Sequence, residues 1–253
     1  MRDIDRYSTD YLNSNDFEVY QVKYRRRKVL EYLSKAVHHN VLEIGCGMEP
    51  LFKYIAEDKF DKWVTVEPSK LFYDNAYGIA KGFKKIELIN DFLEGGNVSK
   101  IIVDTFKGKP DVVICTGLLH EVEKPEVLLK AIRTVCDENT EVVLNVPNAL
   151  SFHRILAVRS GIIKDEHTMS KQNIKLQQHN VFDIKSLTNL VEINGFKVIK
   201  SGSFFVKPFT HEQMQKCINA GILNEKILDG FYNMSNVLPE YGSELFAVCQ
   251  IKK

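Results

Sequence analysis

Val41-Leu42-Glu43-Ile44-Gly45-Cys46-Gly47-Met48-Glu49-Pro50 is the stretch on which the fold turns. An apolar run leads into two glycines, and Pro50 then stands where a helix would begin. Proline suits a first helical position, because the amide hydrogen it lacks would be unpaired there anyway. Glycines at the carboxyl end of a buried strand let the backbone turn sharply and come close to a ligand. A glycine pair is weak by itself, since many such loops are only tight turns. Glu67 sharpens the reading. It lies twenty residues beyond Gly47 at the end of the next expected strand, where an acidic side chain can accept from ribose hydroxyls. A glutamate in that place reads as an exposed strand tip whose removal would spare the fold.

Outward from this loop, β-rich runs alternate with helical patterns, which predicts βαβ units and a parallel sheet. Strands are expected at 40–45, 62–67, 85–90, 110–116 and 141–146, with helices beginning near Pro50, Ser69 and Pro125. Residues 17–37 read as a helix striped by Val22, Val29, Leu30 and Leu33. Later come a helix at 150–158, a polar loop at 160–180 and a helix at 183–193 stopped by Asn194-Gly195. A strand at 196–200, a helical insertion at 207–232 and a last alternating strand at 244–251 complete the pattern. The expected fold is α/β, a doubly wound, mostly parallel seven-stranded Rossmann-like sheet. Residues 1–39 form an N-terminal cap helix, and 40–253 a core with cap insertions at about 150–182 and 207–240.

Composition excludes several classes. Thirty-four basic residues face thirty-three acidic ones, and a net charge of +1 gives no global reason to expect nucleic acid or anionic lipid. Cys46, Cys115, Cys136, Cys217 and Cys249 are odd in number and form no CxxC pair, so neither disulfides nor zinc are expected. His120, Glu121 and Glu123 lack the spacing of a metal site. The opening MRDIDRYSTDYLNSND is polar, and no run of about 18 apolar residues occurs, so a cytoplasmic protein that spans no membrane is expected.

The loop itself discriminates between nucleoside ligands. A dinucleotide would want a third glycine where Pro50 stands and a pyrophosphate at the helix N-terminus, which Glu49 opposes. S-adenosylmethionine has no phosphate and carries cationic groups, which suit Glu43 and Glu49. VLEIGCG (41–47), VTVEPS (64–69), NDFLEG (90–95) and PDVVICTGLLHEVEKP (110–125) together resemble the ordered motifs of class I S-adenosylmethionine-dependent methyltransferases. The resemblance covers roughly residues 17–200. It implies that Glu43, Gly45 and Gly47 meet the methionine part of the donor, Glu67 the ribose, and Asp91 with Phe92 the adenine. Thr116 and Gly117 would pass beneath the donor methyl. Glu49 departs from the family, which often has a third glycine there. LNVPNALSFHRILAVR (144–159) and GFKVIKSGSFFVKPF (195–209) are similar to bacterial methyltransferases that modify surface polysaccharides and related sugars.

Methyl transfer is a displacement at carbon, so the enzyme chiefly aligns donor and acceptor. A hydroxyl acceptor must also lose its proton, most easily to a histidine or a carboxylate, and the histidines are the candidates. His179 ranks first because it precedes the helix begun at Asp183, followed by His120 after the fourth strand and His167 in the polar loop. The plain alternatives are a structural His120 and solvated loop histidines. His153 and Arg154 could meet an anionic or hydroxyl-rich substrate or merely cap a helix. Arg25-Arg26-Arg27-Lys28 reads first as a solvated helix face. Alternatively Arg25 or Arg27 clasps the donor carboxylate while Tyr20 or Tyr24 shields the sulfonium. The expected acceptor is a small molecule such as a nucleotide sugar or glycan precursor, methylated on oxygen. Quinone-type carbon methylation and a non-catalytic, cofactor-binding regulator stay open.

Overall fold

Parallel strands carry the first two-thirds of the chain. The computed structural model describes residues 4, 6, 9, 17–170, 173, 174 and 177–252. Strands β1 (His38–Ile44), β2 (Phe60–Val66), β3 (Ile86–Ile89), β4 (Val112–Thr116) and β5 (Glu141–Pro147) pair in parallel. Strands β6 (Phe196–Phe204) and β7 (Glu244–Ile251) complete one seven-stranded sheet in the order β3-β2-β1-β4-β5-β7-β6. β7 runs antiparallel to both of its neighbours. The order reverses between β1 and β4, so the glycine loop leaves β1 at the switch point where open α/β sheets bind ligands.

Helices cover both faces, which is why the central strands read as continuous apolar runs. On one face, α3 (Val98–Phe106), α4 (Pro125–Val135) and α6 (Ile184–Ile193) bury Ile102, Leu129 and Val191 against Leu42, Val113 and Leu144. On the other, α1 (Glu18–Leu33) and a 3-10 turn (Leu51–Tyr54) pack Val29, Leu33 and Phe52 on Trp63 and Ile114. Helix α2 (Lys70–Ala80) starts at Ser69, whose hydroxyl accepts from Phe72 N, and α5 (Phe152–Arg159) follows β5.

Between β6 and β7 the chain makes α7 (His211–Asn219) and α8 (Glu225–Asn233). These join α1 through an apolar cluster of their own, in which Tyr24 stacks on Phe205 at 4.6 Å and on Tyr232 at 5.5 Å. Polar bonds brace the same contact: Tyr232 donates to Glu31 at 2.6 Å and Tyr24 to Asp229 at 2.9 Å. Helices α1, α7 and α8 therefore pack as one unit.

Several expectations change. The helix expected at Pro50 is only the four-residue 3-10 turn. Helix α1 ends at Leu33 rather than 37, and β6 continues to Phe204, past a register shift between Val198 and Lys200. Helix α3 went unread, because Gly95-Gly96-Asn97 looks like loop and Asn97 makes no side-chain cap. Its stripe of Val98, Ile102 and Phe106 is nevertheless helical in period. No helix among the described residues is long and apolar enough to cross a membrane, and no metal-ligating cluster occurs among them.

Candidate active site

Gly45 and Gly47 both take left-handed backbone angles, φ +71° and +55°. A Cβ at Gly45 would stand 2.8 Å from Leu118 Cδ1, whereas a Cβ at Gly47 would point into open space. The loop is held from both sides. Glu43, 3% exposed, accepts from Leu51 N at 3.0 Å, Thr65 Oγ1 at 3.2 Å and Trp63 Nε1 at 3.3 Å. These bonds draw the 3-10 turn back onto the sheet. Burial pushes the Glu43 carboxyl up to about 7 in spite of them. Its oxygens thus hold the loop to the sheet, and Glu43 is also among the residues that line the cavity above it.

Glu67 corrects the expectation of a solvated tip. It is 4% exposed, and its carboxylate accepts from Gly47 N at 3.1 Å and Ser69 N at 2.9 Å. Burial raises its pKa while those two amides oppose the rise. A carboxylate has about four acceptor sites, so capacity for a ribose hydroxyl remains.

Above the loop lies a cavity of about 1020 Å³. Phe92, Leu93 and Glu94 line one wall, Thr116, Gly117 and Leu118 another. Asp91 is not among the lining residues. Its carboxylate turns back to accept from Phe92 N at 2.7 Å and stands close over Gly95. The acid that borders the cavity there is Glu94. Arg25 reaches over Gly117, but its guanidinium is engaged, with Nη2 2.7 Å from Glu244 and 3.5 Å from Glu18. Tyr20 lies outside the lining, stacked on Phe17 at 5.3 Å.

Of the three candidate bases, His120 lines the cavity and is 4% exposed. His179 and His167 do not line it. His179 acts through its backbone, since His179 N and Asn180 N both donate to the His120 carbonyl, at 2.9 and 3.1 Å. His167 sits 3.1 Å from Asp183, the N-cap of α6. Arg154 ties the start of this stretch to α5, donating to the carbonyls of Glu166 at 2.8 Å and Thr168 at 2.6 Å.

Two lining histidines escaped the sequence reading as bases. His153 and His211 face the cavity from α5 and α7, and burial, with the nearby Lys207, holds both well below the ordinary histidine range. The sequence offers His153, with Arg154, as a contact for an anionic or hydroxyl-rich substrate or as a helix cap, and it gives His211 no motif at all. Their convergence is a product of the cap, which local pattern does not reveal.

A family model described as a methyltransferase domain matches residues 19–201. No curated protein matches the chain. Among solved structures, the N-methyltransferase NodS from Bradyrhizobium japonicum WM9, in complex with S-adenosyl-L-homocysteine, is 11% identical with a TM-score of 0.55. That match covers 96% of this chain and 91% of NodS. The plantazolicin methyltransferase BamL, in complex with a triazolic desmethylPZN analog and SAH, is 13% identical with a TM-score of 0.58, covering 94% and 88%. An S-adenosylmethionine-dependent methyltransferase from Clostridium acetobutylicum ATCC 824 is 9% identical with a TM-score of 0.57, covering 91% and 92%. Identities this low establish a shared fold.

Proposed function

The chain belongs to the methyltransferase-domain family, and from that premise we propose that it methylates a hydroxyl oxygen of a small acceptor, with S-adenosylmethionine as donor. The observation that carries this reading is the continuous cavity, which runs from the glycine loop to an end lined by His153 and His211. The loop fits the donor. Gly47 leaves open space where a side chain would stand, and Glu67 lies directly beneath it. A dinucleotide fits poorly, because the loop leads into a four-residue 3-10 turn and not an α-helix whose N-terminus could seat a pyrophosphate. Glu49 adds a further obstacle, since Lys53 and Tyr54 bond its carboxylate and its pKa is lowered, which keeps it ionised.

When bound, S-adenosylmethionine supplies a methyl group activated on a sulfonium. Glu67 accepts from the ribose, and Phe92 to Glu94 flank the base. Thr116 and Gly117 bring backbone close to the reacting centre, and Ile162 and Ile163 help exclude water from the cavity. His120 takes the acceptor proton from its place just past β4. The likeness of 144–159 and 195–209 to sugar-modifying methyltransferases supports a sugar or glycan precursor as acceptor. The test is incubation with methyl-labelled donor and a panel of nucleotide sugars, glycan phosphoramidates and quinone precursors. An O-methylated sugar product is expected. A C-methylated quinone, or no product despite tight donor binding, would overturn the reading.

A further inference from the structure

Two buried carboxylates, Glu43 and Glu67, line the cavity at the glycine loop. Glu43 Oε1 accepts from Leu51 N, and its Oε2 accepts from Trp63 Nε1 and Thr65 Oγ1. Glu67 accepts from Gly47 N and Ser69 N. Such bonds ease the burial of a charge but supply no opposite charge. Among the described residues neither carboxylate forms an ion pair, and the charge that bears on Glu43 is the like charge of Glu67. The other charged groups nearby turn to different partners. Beyond the loop, Lys53 pairs with Glu49 at 3.0 Å. On α1, Arg26 lies over the Tyr54 ring at 4.4 Å and acts on Glu49, while Arg25 stands 2.7 Å from Glu244. β2 and β4 set uncharged Thr65 and Ile114 beside Glu43. In the loop itself the Cys46 thiol is kept neutral by burial first, then by Glu43 and Glu67, so the three groups share one small space.

We propose that Glu43 reads the charge on the ligand's sulfur and so makes the site prefer donor over product. S-adenosylmethionine, a sulfonium, drives a proton off Glu43 as it binds; S-adenosylhomocysteine, a neutral thioether, leaves Glu43 protonated. The proposal rests on the methyl-transfer reading and adds to it the residue that discriminates donor from product. Two carboxylates in one dry space oppose each other's ionisation. Burial first, with Glu67 after it, pushes the Glu43 carboxyl up to about 7. Protonated Glu43 keeps its place, because its O–H can donate to Thr65 Oγ1 while the other oxygen still receives Leu51 N. A cation entering the cavity supplies the missing opposite charge, favours the carboxylate and sends the proton to solvent. After methyl transfer the sulfur is neutral, Glu43 takes a proton back, and the product lacks the attraction that held the donor.

The experiment is calorimetric titration with S-adenosylmethionine and with S-adenosylhomocysteine, each in buffers of different ionisation enthalpy, which counts the protons released per ligand bound. It is run at about pH 6.5, where the amine of either ligand stays protonated. S-adenosylmethionine should release about half a proton or more from the wild type, and S-adenosylhomocysteine close to none. In Glu43→Gln the release with S-adenosylmethionine should vanish. Between about pH 5.5 and 7 the wild type's preference for S-adenosylmethionine should rise roughly tenfold, while that of Glu43→Gln stays flat. Unchanged S-adenosylhomocysteine affinity will show that the variant is folded; if it is not, the wild-type proton counts still decide. Equal release with both ligands, no release with S-adenosylmethionine, or the same release in a folded Glu43→Gln would each overturn the proposal. Failure of both ligands to bind the wild type would instead sink the donor assignment on which it rests.

Discussion

Glu67→Gln separates the fold from the donor site in one substitution. The carboxylate receives Ser69 N at 2.9 Å and Gly47 N at 3.1 Å in a place only 4% exposed. Glutamine keeps the shape but offers one oxygen, so one backbone amide would face an NH2 group. A buried donor left unmet costs about 1–3 kcal/mol. In a domain of this size each kcal/mol moves Tm by about 2–4 °C, so a fall of roughly 2–12 °C is expected. Glu67→Ala removes both acceptors and should fall further. Loss of a charged acceptor for the ribose hydroxyls should also weaken S-adenosylhomocysteine binding by roughly 10- to 100-fold. Thermal unfolding without ligand measures the first effect and calorimetry the second. An unchanged Tm would refute the bracing role of Glu67. A lowered Tm with unchanged affinity would leave it a purely structural residue.

Gly47→Ala should cost about 1–2 kcal/mol of stability from its left-handed backbone alone, since a Cβ there meets nothing within 4 Å. Donor affinity should drop by more than that cost, because the methyl would project into the donor's space; equal losses in melting and calorimetry would contradict this. Glu43 has its folded pKa raised from 4.5 to about 7, so its contribution to stability is full below pH 4.5 and is lost as pH rises through 7. The stability difference between wild type and Glu43→Gln should therefore shrink by about 2–3 kcal/mol between pH 5 and pH 8, measured by denaturant titration; a pH-independent difference would refute the shift. His120→Gln should slow single-turnover methyl transfer by about 10²–10⁴-fold with donor binding intact, whereas His179→Gln and His167→Gln stay near wild type. Slow turnover in His179→Gln alone would reinstate that residue as the base.

The sheet was legible because its signals are local. Continuous apolar runs at β1, β4 and β5 announce strands buried on both faces, and Pro125 marks the start of α4. Helix α3 was hidden by the glycines before it, and the turn after Pro50 shows that a good first residue does not make a helix. At the site, the spacing of Gly47 and Glu67 was readable, but the burial of Glu67 was not. It depends on Gly47 after β1 and Ser69 after β2 offering their amides to one carboxylate. The same limit explains the histidines. His179 and His167 look free in sequence because a polar loop looks solvated, yet one anchors the loop to the His120 carbonyl and the other sits against the α6 cap. His153 lies more than fifty residues before Lys207 and His211 in the chain, and it meets them because α5, α7 and the segment after β6 come to the same end of the cavity.

The donor assignment is tested most directly by comparing two ligands on the unmodified protein. S-adenosylhomocysteine at ~100 times its dissociation constant should stabilise the fold by roughly 2.7 kcal/mol, because it binds the native state and not the unfolded chain. NAD under the same conditions should leave the melting temperature where it was. Stabilisation by NAD with none from S-adenosylhomocysteine would contradict the account at its centre.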